Sequence, residues 1–174
     1  MSELIDDKID LFEHNILVSC QKTAFPLTHL FLPGMYLRTI FMPKDTCVTS
    51  MVHNTVHPYF ISEGKVSVFS ENMGEELLEK GHLGITTPGT RRVLFMHEGT
   101  RWTTIHPLPF ITGQENDLSE EDKAKLVEGI EDMILEPHVN PLLGGIIKNN
   151  VLSLTETLEN GEGQRVESIA APRL

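Results

Sequence analysis

The feature that most constrains the fold is a series of seven short runs, rich in β-branched and aromatic residues, between residues 36 and 107. Turn residues separate the runs, which recur about every ten residues without a helical pattern between them. This spacing predicts a mainly β fold, an antiparallel sandwich or barrel. The predicted strands cover residues 36–43, 47–53, 58–62, 65–70, 82–88, 91–97 and 101–107.

Different patterns flank the strands and divide the chain into three parts. Residues 1–21 mix apolar and acidic side chains, which predicts an N-terminal arm or short helix. Residues 22–112 form the predicted barrel, and residues 113–174 the predicted C-terminal helix and extended tail. In this last part Ser119 is a predicted N-cap of a helix within 117–137, because acids fill the first turn and apolar residues recur at helical intervals.

The apolar segment 140–154, with its central Gly-Gly pair, is predicted to be a loop that packs down or inserts into a partner subunit. The polar tail behind it is predicted to be mobile or to order only on a neighbouring subunit. Together these two features predict a homo-oligomer.

Charge and composition exclude several classes of protein. The formal net charge of −11 and an isoelectric point near 5.1 oppose binding to nucleic acid, whose phosphates need neutralising cations. No run approaches 18 apolar residues and the N-terminus has no signal-peptide pattern, so we expect a cytoplasmic protein without a membrane partner. Cys20 and Cys47 lie far apart, which predicts reduced thiols rather than a disulfide framework.

Two stretches carry a resemblance to a known family: HPYFISEGKVSVF (residues 57–69) and ITTPGTRRVLFMHEGTRWTTIHP (residues 85–107). They resemble the cupin superfamily, and in particular small cupin-like proteins of bacteriophages and their hosts. The resemblance implies a double-stranded β-helix barrel, followed here by the C-terminal helix and tail. It implies the fold more strongly than an activity, because one fold hosts many chemistries.

The resemblance also implies a site for one divalent metal ion. Aligning the turns places Met51 at the first cupin histidine, His53 at the second, and His57 where a glutamate is usual. An arginine, Arg91 or Arg92, replaces the histidine of the second motif. His53 and His57 are therefore the predicted ligands, with His97 or His106 from later strands as the third and His97 the one that we assign. The alternative is that these histidines are half-buried, hydrogen-bonded residues without a metal.

The adjacent arginines Arg91 and Arg92 predict a site for an anion. Neighbouring residues on a strand face opposite sides, so one guanidinium is expected to point into the barrel. A cation there is costly unless an anion or carboxylate meets it. The preceding Pro-Gly-Thr turn can direct backbone N–H groups at the same anion. The alternative is an ion pair with Glu63 or Glu98.

Aromatic and hydroxyl side chains complete the predicted ligand-binding set. Strand alternation places Trp102, Thr104 and His106 on one face of their strand. Tyr59 and Trp102 supply flat apolar surface, as a wall of the pocket or as ordinary core. The predicted ligand-binding residues are Arg91, Arg92, His53, His57, Tyr59, Trp102, Thr104 and His106; no catalytic residue is assigned.

Three functions are consistent with this sequence. The first is a binding protein that captures a small polar or anionic molecule, for example a nucleotide-like signal, in the barrel mouth. The resemblance to bacteriophage proteins implies that such a protein acts by sequestering a host defence signal. The alternative is a metal-dependent oxygenase or isomerase that uses His53 and His57. The third is a structural oligomer.

Overall fold

The computed structural model describes residues 8–15, 25–70, 74–136, 138–140 and 145–147. Within these residues the chain forms a helix α1 (residues 8–15), ten strands, a short 3-10 helix (Gln114–Asp117), a helix α2 (Glu120–Ile134) and three further short strands. The strands are β1 (Leu27–Leu32), β2 (Met35–Met42), β3 (Cys47–Thr49), β4 (Val52–His53), β5 (His57–Glu63), β6 (Lys65–Ser70), β7 (Gly74–Glu79), β8 (Leu83–Thr86), β9 (Arg92–Met96), β10 (Thr100–Pro107), β11 (Leu135–Glu136), β12 (His138–Asn140) and β13 (Gly145–Ile147).

Two antiparallel sheets build the body of the molecule. The five-stranded sheet has the order β1-β2-β10-β5-β8, and the four-stranded sheet the order β3-β9-β6-β7. Their inner faces pack together, because one apolar cluster joins Tyr59, Ile61 and Trp102 of the first sheet to Val68 and Leu94 of the second. The mainly β fold with a C-terminal helix is therefore confirmed.

Burial alternates along the strands as expected for sheets with one inner face. On β6, Val66, Val68 and Ser70 are buried while the residues between them are partly exposed. On β9 the buried positions are Arg92, Leu94 and Met96. This alternation places Arg92 and Ser70, both polar, on the same inner surface as the apolar core.

Helix α2 covers one end of the barrel. Ile130 and Ile134 are fully buried and pack with Phe31 and Tyr36 in a second apolar cluster. Ser119 is the N-cap, as predicted, and its side chain accepts a hydrogen bond from the Asp122 backbone N–H at 3.2 Å. Beyond the helix, β11 pairs with β4, and Leu135 of β11 is the register partner of His53.

The structure contains strands that the sequence pattern did not predict. Strand β1 adds to the edge of the five-stranded sheet, and β7 adds to the edge of the other sheet. The sequence of β7, Gly-Glu-Glu-Leu-Leu-Glu, is rich in residues that are rare in strands. Pairing with β6 overrides this preference, helped by a Lys65–Glu79 ion pair at 2.6 Å. The predictions for residues 141–144 and 148–174 fall outside the described residues.

Candidate metal centre and ligand pocket

Three histidines meet at the end of the barrel that α2 and β11 cover. His53 ends β4, His57 begins β5, and His106 lies near the end of β10. All three are buried, and their ring centroids lie 4.3 Å (His53–His57), 4.4 Å (His57–His106) and 5.2 Å (His53–His106) apart. One ring nitrogen from each residue lies within 4.8 Å of the other two. The fold thus brings together residues 53 positions apart in sequence.

Hydrogen bonds fix the tautomers of two of these imidazoles. Nδ1 of His57 lies 3.1 Å from the carbonyl oxygen of Thr55, which can only accept, so Nδ1 carries the proton. The Thr104 hydroxyl donates to the carbonyl oxygen of Arg38 at 3.4 Å and accepts from Nε2 of His106 at 3.0 Å. The remaining nitrogens, His57 Nε2 and His106 Nδ1, therefore carry lone pairs.

These lone pairs have no hydrogen-bond partner among the residues that the structure describes. His57 Nε2 and His106 Nδ1 are buried and unsatisfied, and so is His53 Nδ1. Buried polar atoms are normally hydrogen-bonded, since an unsatisfied one costs about 1–3 kcal/mol. Three such nitrogens in one cluster form a set of electron-pair donors that suits one shared acceptor, such as a metal ion.

The surroundings keep the imidazoles uncharged. Burial lowers the pKa of His53 to about 2, and the neighbouring histidines His57 and His106 contribute to this shift. Burial also lowers the pKa of His106 to about 3, with smaller effects from His57 and Arg38. Burial lowers the pKa of His57 against the hydrogen bond to Thr55, which raises it. At neutral pH all three rings are therefore in the form that binds a metal ion.

The cluster fits a divalent transition metal ion. Neutral imidazole suits zinc, copper, iron and nickel, and three histidines leave further coordination positions open. Metal–nitrogen bonds are about 2.0–2.1 Å long, so side-chain rotation must bring the nitrogens onto one ion. Three unpartnered, neutral, buried imidazole nitrogens can hold a metal ion.

His106, and not His97, lies beside His53 and His57. His97 follows β9 directly, and alternation along β9 turns its side chain away from the inner positions Arg92, Leu94 and Met96. Its Nε2 lies 2.8 Å from the hydroxyl of Ser67, and its ring meets the edge of Phe95 at 5.0 Å. The structure thus takes His97 out of the group of ligands that the sequence assigned.

The two arginines have different surroundings. Arg91 is buried, and its Nη2 lies 2.9 Å from Asp10 and 3.0 Å from Glu13, both on helix α1. The alternative of an arginine–carboxylate pair therefore applies to Arg91, but its partners are neither Glu63 nor Glu98. Glu63 pairs with Arg101 instead, at 3.3 Å. Arg91 attaches helix α1 to the barrel.

Arg92 points into the barrel, where its guanidinium lies over the ring of Tyr59 at 5.4 Å from the ring centroid. The side chain is only 5% exposed, and its Nε has no hydrogen-bond partner. Burial lowers the pKa of Arg92. Trp102 also stacks on Tyr59, and the two ring centroids lie 4.3 Å apart. The predicted residues Arg92, Tyr59 and Trp102 are thus neighbours.

The Pro-Gly-Thr turn does not direct its amides at an anion. The N–H of Gly89 donates to the carbonyl oxygen of His53 at 2.9 Å, and the N–H of Thr90 to that of Thr87 at 3.3 Å. These bonds use the donors that a phosphate-binding turn needs. The turn instead ties the β8–β9 connection to the histidine cluster.

Sequence reasoning missed Ser70. Its side chain is buried, its Oγ is unsatisfied, and it is the register partner of Arg92 across β6 and β9. The alternation Val66, Val68, Ser70 was the available signal, since it places the hydroxyl on the inner face. The pairing with Arg92 depends on the strand register, which the sequence does not display.

The paired antiparallel sheets and the buried histidine cluster define a two-sheet β-barrel protein with a candidate metal centre. Several solved structures are similar to part of this chain. They include ectoine synthase from P. lautus (17% identity, 56% of this chain and 72% of that chain covered, TM-score 0.44) and a cupin-2 domain-containing protein from Shewanella frigidimarina (12%, 55% and 91%, 0.39). A third is the cupin domain of Schizosaccharomyces pombe Cnp3 (18%, 53% and 66%, 0.41).

The other comparisons add no relative. No protein-family model matches the chain, and no curated protein matches its sequence. The resemblance to bacteriophage proteins stays a prediction. Among the described residues, no helix is both long and apolar enough to cross a membrane.

Proposed function

We propose that this protein binds one divalent transition metal ion through His53, His57 and His106, and captures a small polar or anionic molecule at the same site. The observation that carries the proposal is the convergence of three buried imidazoles whose inward nitrogens have no partner. A purely structural cluster is expected to satisfy these nitrogens with hydrogen bonds.

The residues around the ligands support the same assignment. The Thr104 hydroxyl and the Thr55 carbonyl oxygen hold His106 and His57 in the tautomers that leave a nitrogen free. Hydrogen bonds of this kind orient metal-binding histidines in proteins. When bound, the ion supplies Lewis acidity and open coordination positions. The chain itself supplies the orientation, the buried surroundings and the adjacent arginine, Arg92.

Metal analysis tests this proposal. Protein freed of metal with a chelator is titrated with Zn²⁺ and followed by calorimetry and native mass spectrometry. We expect one ion per chain in the wild type and loss of stoichiometric binding in His106→Gln. The matched control is His97→Gln, which is expected to bind like the wild type because His97 contacts Ser67 outside the cluster. Equal loss in both variants, or no binding by the wild type, contradicts the proposal.

A metal-dependent enzyme is the second candidate, and the open positions of a three-histidine site favour it. In such sites water or substrate completes the coordination of the ion. Capture and turnover differ in what becomes of the bound molecule. Native mass spectrometry identifies any small molecule retained from the cell, and incubation of the loaded protein with that compound follows. Unchanged compound after many site equivalents supports capture, and conversion supports an oxygenase or isomerase.

We also propose that the protein sequesters its ligand and that it forms a homo-oligomer. Each of these two proposals concerns a partner, either the captured molecule or a second copy of the chain. The molecular mass in solution, from sedimentation or light scattering, tests the oligomer directly. A mass near 19.6 kDa at micromolar concentration corresponds to a monomer and contradicts it.

A further inference from the structure

A second set of unsatisfied polar groups lies in the barrel, separate from the imidazole nitrogens. It consists of the guanidinium of Arg92 and the hydroxyl of Ser70. Arg92 is 5% exposed and Ser70 is 1% exposed, and within the described part of the chain both Arg92 Nε and Ser70 Oγ lack a hydrogen-bond partner. No ion pair of the described residues involves Arg92.

The strand register places these two groups side by side. Ser70 on β6 and Arg92 on β9 are paired residues, and both lie at buried, inner positions of their strands. Side chains of directly paired residues have Cβ atoms about 4.5–5.5 Å apart. One donor from the hydroxyl and several from the guanidinium can therefore reach the same acceptor.

A buried guanidinium without a carboxylate is unfavourable for folding. The ring of Tyr59 offsets part of this cost through the cation–π contact, but a ring accepts no hydrogen bond from Nε with the strength of an anion. The contrast with Arg91 is informative, because that neighbour contacts two carboxylates of the chain itself. Among the described residues no carboxylate contacts Arg92, so a bound anion is the partner that would complete its surroundings.

The position of Arg92 relative to the histidines limits the size of this anion. His57 and Tyr59 are two residues apart on β5 and both are buried, so their side chains share the inner face about 6.8 Å apart. Arg92 lies over Tyr59. Arg92 and the histidine cluster therefore lie next to each other along the inner face of β5, one strand repeat apart.

We infer that Arg92 and Ser70 bind the carboxylate of a small organic acid whose second oxygen, a hydroxyl or keto oxygen next to the carboxylate, reaches the histidine centre. This inference rests on the proposed function. The planar guanidinium matches two oxygens of a carboxylate or of a phosphate. A carboxylate fits better here, because the Gly89 and Thr90 amides of the nearby turn, which would help to hold a phosphate, are already used within the protein.

Calorimetry with matched probes tests the inference. Glycolate carries a carboxylate and an adjacent hydroxyl, and glycolamide is its neutral counterpart. We expect the Zn²⁺-loaded wild type to bind glycolate at least 10-fold more tightly than glycolamide. Arg92→Met is expected to remove this preference while keeping one Zn²⁺ per chain, and Ser70→Ala to weaken glycolate binding about 10-fold. Arg101→Met is the control, since Arg101 pairs with Glu63 on the outer face and should leave binding unchanged.

Thermal unfolding without ligand separates a binding role from a structural one. If Arg92 is held for an anion, Arg92→Met has an equal or higher melting temperature than the wild type, because a costly buried charge is removed. A large decrease in melting temperature, or unchanged glycolate binding by Arg92→Met, overturns the inference.

The same samples distinguish failure of the inference from failure of the proposed function. Normal Zn²⁺ binding without a preference for glycolate overturns the carboxylate site alone. If the wild type binds no Zn²⁺, the metal centre fails. Weaker glycolate binding to the metal-free chain that is lost in Arg92→Met then still supports the arginine as an anion site.

Discussion

The histidine cluster is buried in its uncharged form. The free energy of unfolding of the metal-free protein is therefore expected to depend on pH even above about pH 5, where carboxylates no longer titrate. His53 and His106 have pKa values of about 2 and about 3 in the folded chain. In the unfolded chain a histidine has a pKa of about 6.5. Below this value the unfolded chain takes up protons that the folded chain does not. The free energy of unfolding is therefore at its full value above pH 6.5 and decreases as the pH falls toward 3.

The size of this effect follows from the two pKa values. Between pH 7.5 and pH 5.5 each histidine favours the unfolded state by about 1 kcal/mol or slightly more, because pH 5.5 is one unit below the unfolded pKa and well above the folded one. Together His53 and His106 lower the free energy of unfolding by about 3 kcal/mol. His57, whose pKa is also lowered, acts in the same direction.

Urea unfolding at the two pH values, in the presence of a chelator, measures the difference. Trp102 is the single tryptophan of the chain and is buried in the core, so its fluorescence reports the transition. The variant that carries both His53→Gln and His106→Gln is expected to lose most of the pH dependence, whatever its stability at pH 7.5. Aspartate and glutamate contribute little in this window, since their unfolded pKa values lie near 4.

An unfolding free energy that changes by much less than about 1 kcal/mol between pH 7.5 and 5.5 would contradict this expectation of about 3 kcal/mol. It would mean that the folded protein protonates the histidines as readily as the unfolded chain does. The cluster would then be open to solvent, and the case for a buried set of metal ligands would fail with it.

Three further predictions concern single side chains. Arg91→Met removes the cation that two carboxylates of helix α1 contact, and we expect a loss of about 3–5 kcal/mol, with faster amide exchange in residues 8–15; unchanged exchange contradicts this. Gly84→Ala places a methyl group against the ring of Tyr59, and the expected loss is about 1–3 kcal/mol in urea unfolding, whereas a neutral result would argue against close packing there. Thr104→Val removes the partner of His106 Nε2 and should weaken Zn²⁺ binding about 10–100-fold by calorimetry; wild-type affinity would exclude an orienting role.

The sequence predicted the strands well because their pattern is local. Runs of β-branched and aromatic residues broken by turn residues reflect what each short segment can do alone, and β6 begins and ends where predicted, at residues 65 and 70. Helix α2 could be predicted equally well, since the N-cap Ser119 and the apolar periodicity are local signals. Strand β7 could not be predicted from the sequence, because its acidic residues favour other conformations and pairing with β6 holds them extended.

In the candidate site, too, some neighbours can be predicted from the sequence and others depend on the fold. His53 and His57 are four residues apart on either side of one tight connection, so the sequence alone brings them close. Which later histidine joins them depends on which sheet and which face it occupies. Alternation along β10 turns His106 inward with Trp102, and alternation along β9 turns His97 outward to Ser67.

Most of the strands, helix α2 and the class of fold could thus be predicted from the chain's local pattern, because hydrophobic alternation and turn residues act over a few positions. The packing of the two sheets sets which groups share the interior. It brings Arg91 to the carboxylates of α1 and leaves Arg92 beside Ser70, with no carboxylate partner among the described residues. Strand register and sheet packing set these contacts between residues that are distant in sequence. Neither can be predicted from the residue pattern of a single segment.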